Sequence, residues 1–199
     1  HLYPALAVAK VIEAQEAGCR VHFVGTRRGL EKKVVPEHGF PLHFISVGRL
    51  HGTVAKIERV LTLLRLPWSF IQCLWLLVRH RPRYVIGFGS YASGPLLLMG
   101  ALLRRPTFIW EPNAHPGLAN RILARFVDAC LIVFDEAREH LRGQKFFKVG
   151  LPIRDPIEKL SHRPVKKDST VETLSLLIFG GSQGARGINR TVSDLFTEA

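Results

Sequence analysis

Short apolar runs alternate with segments of helical periodicity along the chain, and this alternation restricts the fold more than any other feature. Strands are predicted at Arg20–Gly25, Leu42–Ser46, Tyr84–Phe88, Thr107–Trp110, Ala129–Val133 and Phe146–Val149. Helices are predicted at Pro4–Ala17, Leu30–Glu37, Ser93–Leu103 and Gly117–Phe126. Strands that alternate with helices pair in parallel, with helices on both faces of the sheet. The sequence therefore predicts an α/β fold with a parallel sheet.

The domain organisation is predicted from a polar stretch, Ser161–Thr173, that lacks apolar periodicity and resembles a linker. Residues 1–160 would form one domain. The apolar run Leu174–Phe179 and the helical pattern Gly184–Phe196 would begin a second α/β domain, residues 174–199. The chain starts without Met and stops within a predicted helix. We therefore expect a truncated piece of a longer protein, whose targeting signals cannot be judged.

A glycine-rich bend at Ile178–Asn189, IFGGSQGARGIN, is predicted to join a buried strand to a helix. Glycines allow a ligand to approach the backbone, and the first turn of a helix presents free N–H groups and a positive dipole end. These features suit a phosphate. A plain strand-to-helix turn fits the local chemistry equally well, because the bend matches neither a Walker loop nor GxGxxG.

The net charge of +12 predicts an anionic partner or surface. Residues 48–83 hold seven basic residues and one acidic residue, and they include the apolar run Leu61–Val78. Pro67 is expected to break this run and start a new helix. The part after Pro67 is shorter than the ~20 residues that span a bilayer. It could lie in a lipid interface, or it could be an ordinary buried helix; the flanking charge favours the interface. No nucleic-acid-binding module is recognised, so nucleic acid is not predicted as a partner.

Metal and redox chemistry are not predicted from the sequence. Cys19, Cys73 and Cys130 lie far apart in hydrophobic surroundings, and none belongs to a CxxC pair. They are expected to be reduced core thiols. The nine histidines show no metal-binding spacing, so no metal site and no cofactor are expected.

Five motifs, taken together and in order, resemble the MurG family of bacterial glycosyltransferases. They are HLYPALAVA, GFGSYASGP, WEPNAHPGLANR, VGLPIR and FGGSQGARGIN. The resemblance covers essentially the whole chain. It implies a GT-B fold of two Rossmann-like domains. The first would be complete apart from its initial strand and glycine loop, and the second would be represented by its first strand–helix unit.

The resemblance implies an inverting, metal-independent hexosyltransferase. Such an enzyme would move N-acetylglucosamine (GlcNAc) from UDP-GlcNAc to the C4 hydroxyl of the muramoyl sugar of lipid I, which forms lipid II in peptidoglycan synthesis. His1 matches the family's candidate base, and an imidazole suits that role. The residues that match donor-binding positions are Asn113, Arg154, Gly181, Ser182, Gln183 and Gly184. Gly89, Ser90 and Tyr91 would approach the acceptor diphosphate.

The implied partners are UDP-GlcNAc, lipid I and an anionic membrane surface. The enzyme would be peripheral, on the cytoplasmic face of the bacterial plasma membrane. The predicted interface residues are Trp68, Phe70, Trp75, Arg79, Arg81 and Arg83. Two alternatives remain open: a GT-B transferase with another lipid acceptor, and a non-catalytic membrane-docking half of a split transferase.

Overall fold

Two parallel β-sheets with surrounding helices form most of the described structure. This computed structural model describes residues 2–27, 29–47, 56–89, 92–153, 178 and 186–197. The strands are β1 Phe23–Gly25, β2 Leu42–Phe44, β3 Val85–Gly87, β4 Thr107–Glu111, β5 Ala129–Ile132 and β6 Phe146–Lys148. The helices are α1 Leu2–Gln15, α2 Glu31–Glu37, α3 Lys56–His80, α4 Ser93–Leu102, α5 Leu118–Leu123, α6 Ala137–His140 and α7 Arg186–Thr197.

All strand pairs among the described residues are parallel, which confirms the predicted α/β class. One sheet contains β1 and β2, and the other has the order β3-β4-β5-β6. In the larger sheet Gly87 lies opposite Ile109, and Glu111 lies opposite Ile132. The carboxyl ends of neighbouring parallel strands therefore lie along one edge. Ligands of open α/β sheets bind beyond such edges.

Three apolar clusters support these sheets. The largest packs one face of the four-stranded sheet against α4 and α5 through Leu97, Ile109, Leu123 and Ile132. A second packs α1 against α2 and the smaller sheet through Leu6, Val35 and Phe40. A third packs α3 next to the end of β2, with Ile45, Cys73 and Leu76 at its centre.

A cavity of about 920 Å³ lies beside β1 of the smaller sheet and β3 of the larger one. Its wall includes α1, the end of α3, and apolar residues of both strands, among them Phe23, Val24, Val85 and Ile86.

Helix α3 differs from the sequence-based expectation, because it continues through Pro67 from Lys56 to His80. The predicted break at Pro67 is therefore wrong. A proline within a helix costs about 3 kcal/mol. Burial of Cys73, Leu76 and Leu77 on the same helix exceeds that cost, since each large apolar side chain removed from water contributes about 1.5–3 kcal/mol.

The chain divides into two compact units, His1–His162 and Arg163–Ala199. In the second unit the described residues are Ile178 and helix α7, whose range agrees with the predicted helix at Gly184–Phe196. The predicted strand Leu174–Phe179 lies outside the described residues except for Ile178, as does the predicted linker Ser161–Thr173.

Candidate functional site

The turns that follow β3 and β4 meet at the carboxyl edge of the four-stranded sheet. Parallel pairing of these strands brings Phe88 and Trp110 together, with their ring centroids 5.5 Å apart. Gly89 and Asn113 follow directly, and both are sequence-predicted site residues. The fold therefore places Gly89, which is predicted to approach the acceptor, and Asn113, which is predicted to bind the donor, at the same edge.

The turn after β3 requires glycine at two positions. At Gly89 the backbone φ is +82°, a value that side chains with a Cβ rarely adopt. At Gly87 an added Cβ would lie 2.5 Å from Leu97 Cδ1 and 3.1 Å from Ser93 Cβ. Helix α4 thus packs directly on the end of β3. Close approach between strand and helix places the backbone of this turn at the sheet edge, where a ligand could contact it.

The turn after β4 is held by the buried carboxylate of Glu111, which is only 2% exposed. Its Oε1 accepts hydrogen bonds from Asn113 N at 3.0 Å and Asn113 Nδ2 at 2.9 Å. Its Oε2 accepts from Asn120 Nδ2 at 2.9 Å, and Asn120 lies in α5. The turn therefore keeps its hydrogen bonds although Pro112 has no N–H. Glu111 fixes the position of Asn113, whose side chain is exposed at the edge.

Sequence reasoning placed Glu111 at the ligand edge but did not predict that Glu111 and Asn120 position Asn113, although both belong to the motif WEPNAHPGLANR. A charged residue at the end of an apolar strand was the available signal, because an unpaired carboxylate is rarely buried. Asn120 is 3% exposed, and its Oδ1 has no hydrogen-bond partner. The two residues position Asn113, and they do not themselves reach the surface.

Most of the other sequence-predicted site residues lie outside the described part of the chain. They are His1, Ser90, Tyr91, Arg154, Gly181, Ser182, Gln183 and Gly184. Their predicted roles remain predictions.

Helix α3 presents an apolar stripe to the solvent. We define the α3 stripe by its exposed side chains, which recur at intervals of three or four residues: Leu64, Trp68, Ile71, Trp75 and Val78. Trp68 and Trp75 are 56% and 62% exposed. A soluble helix normally turns its polar face outward. Here two polar residues lie on the inward face: Ser69 is buried, and Gln72 Oε1 accepts a hydrogen bond from Ser46 N.

Of the predicted interface residues, Trp68 and Trp75 belong to this stripe. Phe70 is half-buried and lies off the stripe. Arg79, Arg81 and Arg83 are exposed at and just after the end of α3, and the Arg83 guanidinium lies 5.3 Å from the Tyr84 ring centre. Within the described residues, no helix has the length and apolar character needed to cross a membrane.

The two buried thiols, Cys73 and Cys130, are poor candidates for catalysis. Burial raises the pKa of Cys73 to about 12 and that of Cys130 to about 11. Both are therefore protonated near neutral pH and unreactive as nucleophiles. Cys19 is exposed, which corrects the expectation that all three thiols lie in the core. The structure also brings together three histidines that are separate in sequence, His22, His43 and His80.

Comparison with known proteins identifies relatives of this chain. Residues 1–132 match the family model of the glycosyltransferase family 28 N-terminal domain. A protein of Bdellovibrio bacteriovorus is 47% identical over 194 residues, which are 98% of this chain and 53% of that protein. A protein of Anaeromyxobacter sp. (strain Fw109-5) is 43% identical, over 96% of this chain and 49% of its own length. The chain spans about half the length of the curated relatives it matches.

Both relatives carry the name UDP-N-acetylglucosamine–N-acetylmuramyl-(pentapeptide) pyrophosphoryl-undecaprenol N-acetylglucosamine transferase. Among solved structures, the crystal structure of Acinetobacter baumannii MurG matches with a TM-score of 0.63 and 25% sequence identity. That match covers 79% of this chain and 43% of the other.

Proposed function

Because this chain belongs to glycosyltransferase family 28, whose N-terminal domain it matches over residues 1–132, we propose that it forms the acceptor-binding part of a GT-B hexosyltransferase. The enzyme transfers GlcNAc from UDP-GlcNAc to the muramoyl sugar of an undecaprenyl-pyrophosphoryl acceptor. The observation that carries this proposal is 47% identity, over 98% of the chain, to a relative named for that reaction.

The reaction is a displacement at the anomeric carbon of GlcNAc. The C4 hydroxyl of the muramoyl sugar attacks that carbon, its proton passes to a base, and the bond to the UDP oxygen breaks with inversion. His1 is the proposed base. The charge that develops on UDP requires fixed dipoles and cations. Ser182, Gln183 and the backbone at Gly181 and Gly184 are proposed to supply the dipoles, and Arg154 the cation.

The carboxyl edge supports the proposed binding of sugar and diphosphate. Asn113 offers both donors and acceptors for sugar hydroxyls, and Glu111 restricts its motion through two hydrogen bonds. A side chain that is already oriented loses less entropy when a ligand binds. We assign Gly89, together with Ser90 and Tyr91, to the acceptor diphosphate, because backbone at a glycine turn admits close approach by phosphate oxygens.

The α3 stripe supports binding of the enzyme to the membrane that holds the lipid acceptor. Exposed apolar side chains can enter the lipid interface, and tryptophans are favoured at headgroup depth. Arg79, Arg81 and Arg83 are exposed beside the end of the stripe, where they could contact anionic headgroups. Peripheral attachment at the cytoplasmic face of the plasma membrane follows from this proposal, because a UDP-sugar donor is cytoplasmic.

A hybrid enzyme tests the proposed reaction. This chain would replace its matching region in the Bdellovibrio relative, and transfer of GlcNAc would be measured with lipid I, diacylglycerol and another polyprenyl-linked sugar as acceptors. We expect transfer to lipid I. Transfer only to another acceptor would favour a different GT-B transferase. A folded hybrid that binds vesicles but transfers to none of them would favour a non-catalytic docking role.

A further inference from the structure

Three imidazoles from separate elements meet beside the smaller sheet. His22 directly precedes β1, His43 lies in the middle of β2, and His80 is the last residue of α3. Parallel pairing places Val24 opposite His43, and Phe23 opposite Leu42. The sheet thereby brings two of the imidazoles side by side, and the end of the long helix supplies the third.

The geometry of the three rings is convergent. One nitrogen of each ring can be chosen so that all three atoms lie within 4.8 Å of one another. His22 Nδ1 and His43 Nε2 are 2.9 Å apart, which is hydrogen-bonding distance. The ring centroids are 5.2 Å apart for His22 and His43, 4.5 Å for His22 and His80, and 4.8 Å for His43 and His80.

These distances are close to those of a tetrahedral metal site. With metal–nitrogen bonds of about 2.0–2.1 Å, two ligand nitrogens lie about 3.3 Å apart. The pair at 2.9 Å would need to open by a few tenths of an ångström, and the third ring would need to approach. Rotation about side-chain bonds of half-exposed or exposed imidazoles can provide both movements. The ring that donates the hydrogen bond between His22 and His43 would carry its proton on its other nitrogen, so that both facing nitrogens present lone pairs to the ion.

The surroundings lower the pKa of two of these rings, and this favours the neutral form that metal binding requires. Burial lowers the pKa of His43, and the neighbouring imidazoles of His80 and His22 lower it further. Burial also lowers the pKa of His22, with added contributions from His80 and Arg20, and Glu13 acts in the opposite direction. Neutral imidazoles expose nitrogen lone pairs, whereas protonated ones would repel each other and a cation.

We propose that His22, His43 and His80 form a binding site for one divalent transition-metal ion, Zn²⁺ by preference. Imidazole nitrogen suits Zn²⁺, Ni²⁺ and Cu²⁺, and it is a poor ligand for Mg²⁺ and Ca²⁺. The fourth coordination position would hold water. A bound ion would tie the end of α3 to β1 and β2, and so fix the helix that carries the α3 stripe. The inference stands apart from the proposed transfer reaction, because none of the three residues belongs to the proposed sugar or phosphate site.

A Zn²⁺ titration of the chain, purified without a histidine tag and stripped with a chelator, tests the site. We expect one equivalent of Zn²⁺ to bind and the unfolding temperature to rise, because a ligand of the folded state stabilises it. Co²⁺ in place of Zn²⁺ should give the visible absorption of a site with nitrogen ligands and low coordination number. Mg²⁺ at the same concentration should neither bind nor raise the unfolding temperature.

Single substitutions distinguish this site from general binding by histidines. Loss of a residue that only orients a metal ligand costs about 10–100-fold in affinity, so His80→Ala, which removes a ligand, should cost more than about 100-fold. The matched control is His115→Ala, because His115 Nδ1 and His140 Nε2 form a similar pair at 3.1 Å without a third ring. That variant should bind Zn²⁺ as the unaltered chain does.

Two results would overturn the proposal. One is the absence of stoichiometric Zn²⁺ binding by the folded chain. The other is equal binding by the His80→Ala and His115→Ala variants. His22→Ala provides a second exposed position, so that a folding defect in one variant, visible in its circular dichroism spectrum, does not prevent a decision.

Discussion

Single residues at the carboxyl edge show why some positions accept few alternatives. Glu111 is almost fully buried, yet three N–H groups of two asparagines satisfy its oxygens. A buried carboxylate without such partners would cost several kcal/mol. Its burial is therefore conditional on Asn113 and Asn120, and the position of Asn113 is conditional on Glu111. Asn113 is therefore exposed and yet oriented, because its hydrogen bonds to Glu111 fix its position.

Two glycines near this edge should respond oppositely to alanine. In Gly87→Ala the new Cβ would meet Leu97 Cδ1 at 2.5 Å, so we expect a loss of about 1–3 kcal/mol in the free energy of unfolding. Gly94 lies in α4 with nothing within 4 Å of an added Cβ. Gly94→Ala should therefore gain about 0.5–1 kcal/mol, because alanine favours a helix over glycine.

Urea denaturation of both variants checks this pair. The midpoints should move in opposite directions at a similar slope. A Gly87→Ala variant as stable as the unaltered chain would show that α4 does not pack closely on β3.

At the scale of elements, α3 combines two opposite faces. Ser69, Cys73 and Leu77 face the protein and are buried, whereas the α3 stripe is exposed. Burial of an aromatic side chain is favourable by about 1.5–3 kcal/mol. Transfer of the two exposed tryptophans out of water would therefore stabilise a complex with a partner that covers them. The lipid interface can provide that burial.

Vesicle binding by the chain should depend on this element. Trp68→Glu should weaken binding to vesicles that contain phosphatidylglycerol, whereas Phe126→Glu should not, although Phe126 is 54% exposed and Trp68 56%. Charge reversal at Arg79, Arg81 or Arg83 should weaken the free energy of binding to anionic vesicles by about 1 kcal/mol or more per residue. The loss should be smaller at high salt. Co-sedimentation measures both. Equal losses for Trp68→Glu and Phe126→Glu would remove the α3 stripe from this role.

The elements were largely predictable from the sequence, since apolar runs and glycines bound β2 to β6 closely, but β1 begins at Phe23 and not at the predicted Arg20. The break predicted at Pro67 is absent, because local propensity does not reflect how much surface the rest of α3 buries. The short helix α6 was not predicted, because four residues hold too little periodicity. At the site, motifs identified Gly89 and Asn113, but the partners of Glu111 and the meeting of three histidines depend on strand register and helix position. Register and helix position are set by tertiary packing, which local sequence patterns do not encode.

At the scale of the whole molecule, three surfaces of the first unit have different chemistry. The carboxyl edge offers polar groups for sugar and phosphate, the α3 stripe offers apolar surface with nearby cations, and the histidine cluster offers metal ligands. A transferase that acts on a lipid-linked sugar needs the first two together, because its acceptor has a polar head and remains held in the membrane by its chain. The central claim is that the chain supplies both.

The most direct test of that claim is the kinetics of the hybrid enzyme with two acceptors, the undecaprenyl substrate in anionic vesicles and a short-chain, water-soluble analogue. The Trp68→Glu, Trp75→Glu double variant should lower kcat/KM for the vesicle-bound acceptor by about tenfold or more, since two large aromatic contacts with lipid are lost. For the soluble analogue it should leave kcat/KM unchanged. Equal losses with both acceptors, or no loss with either, would contradict the account.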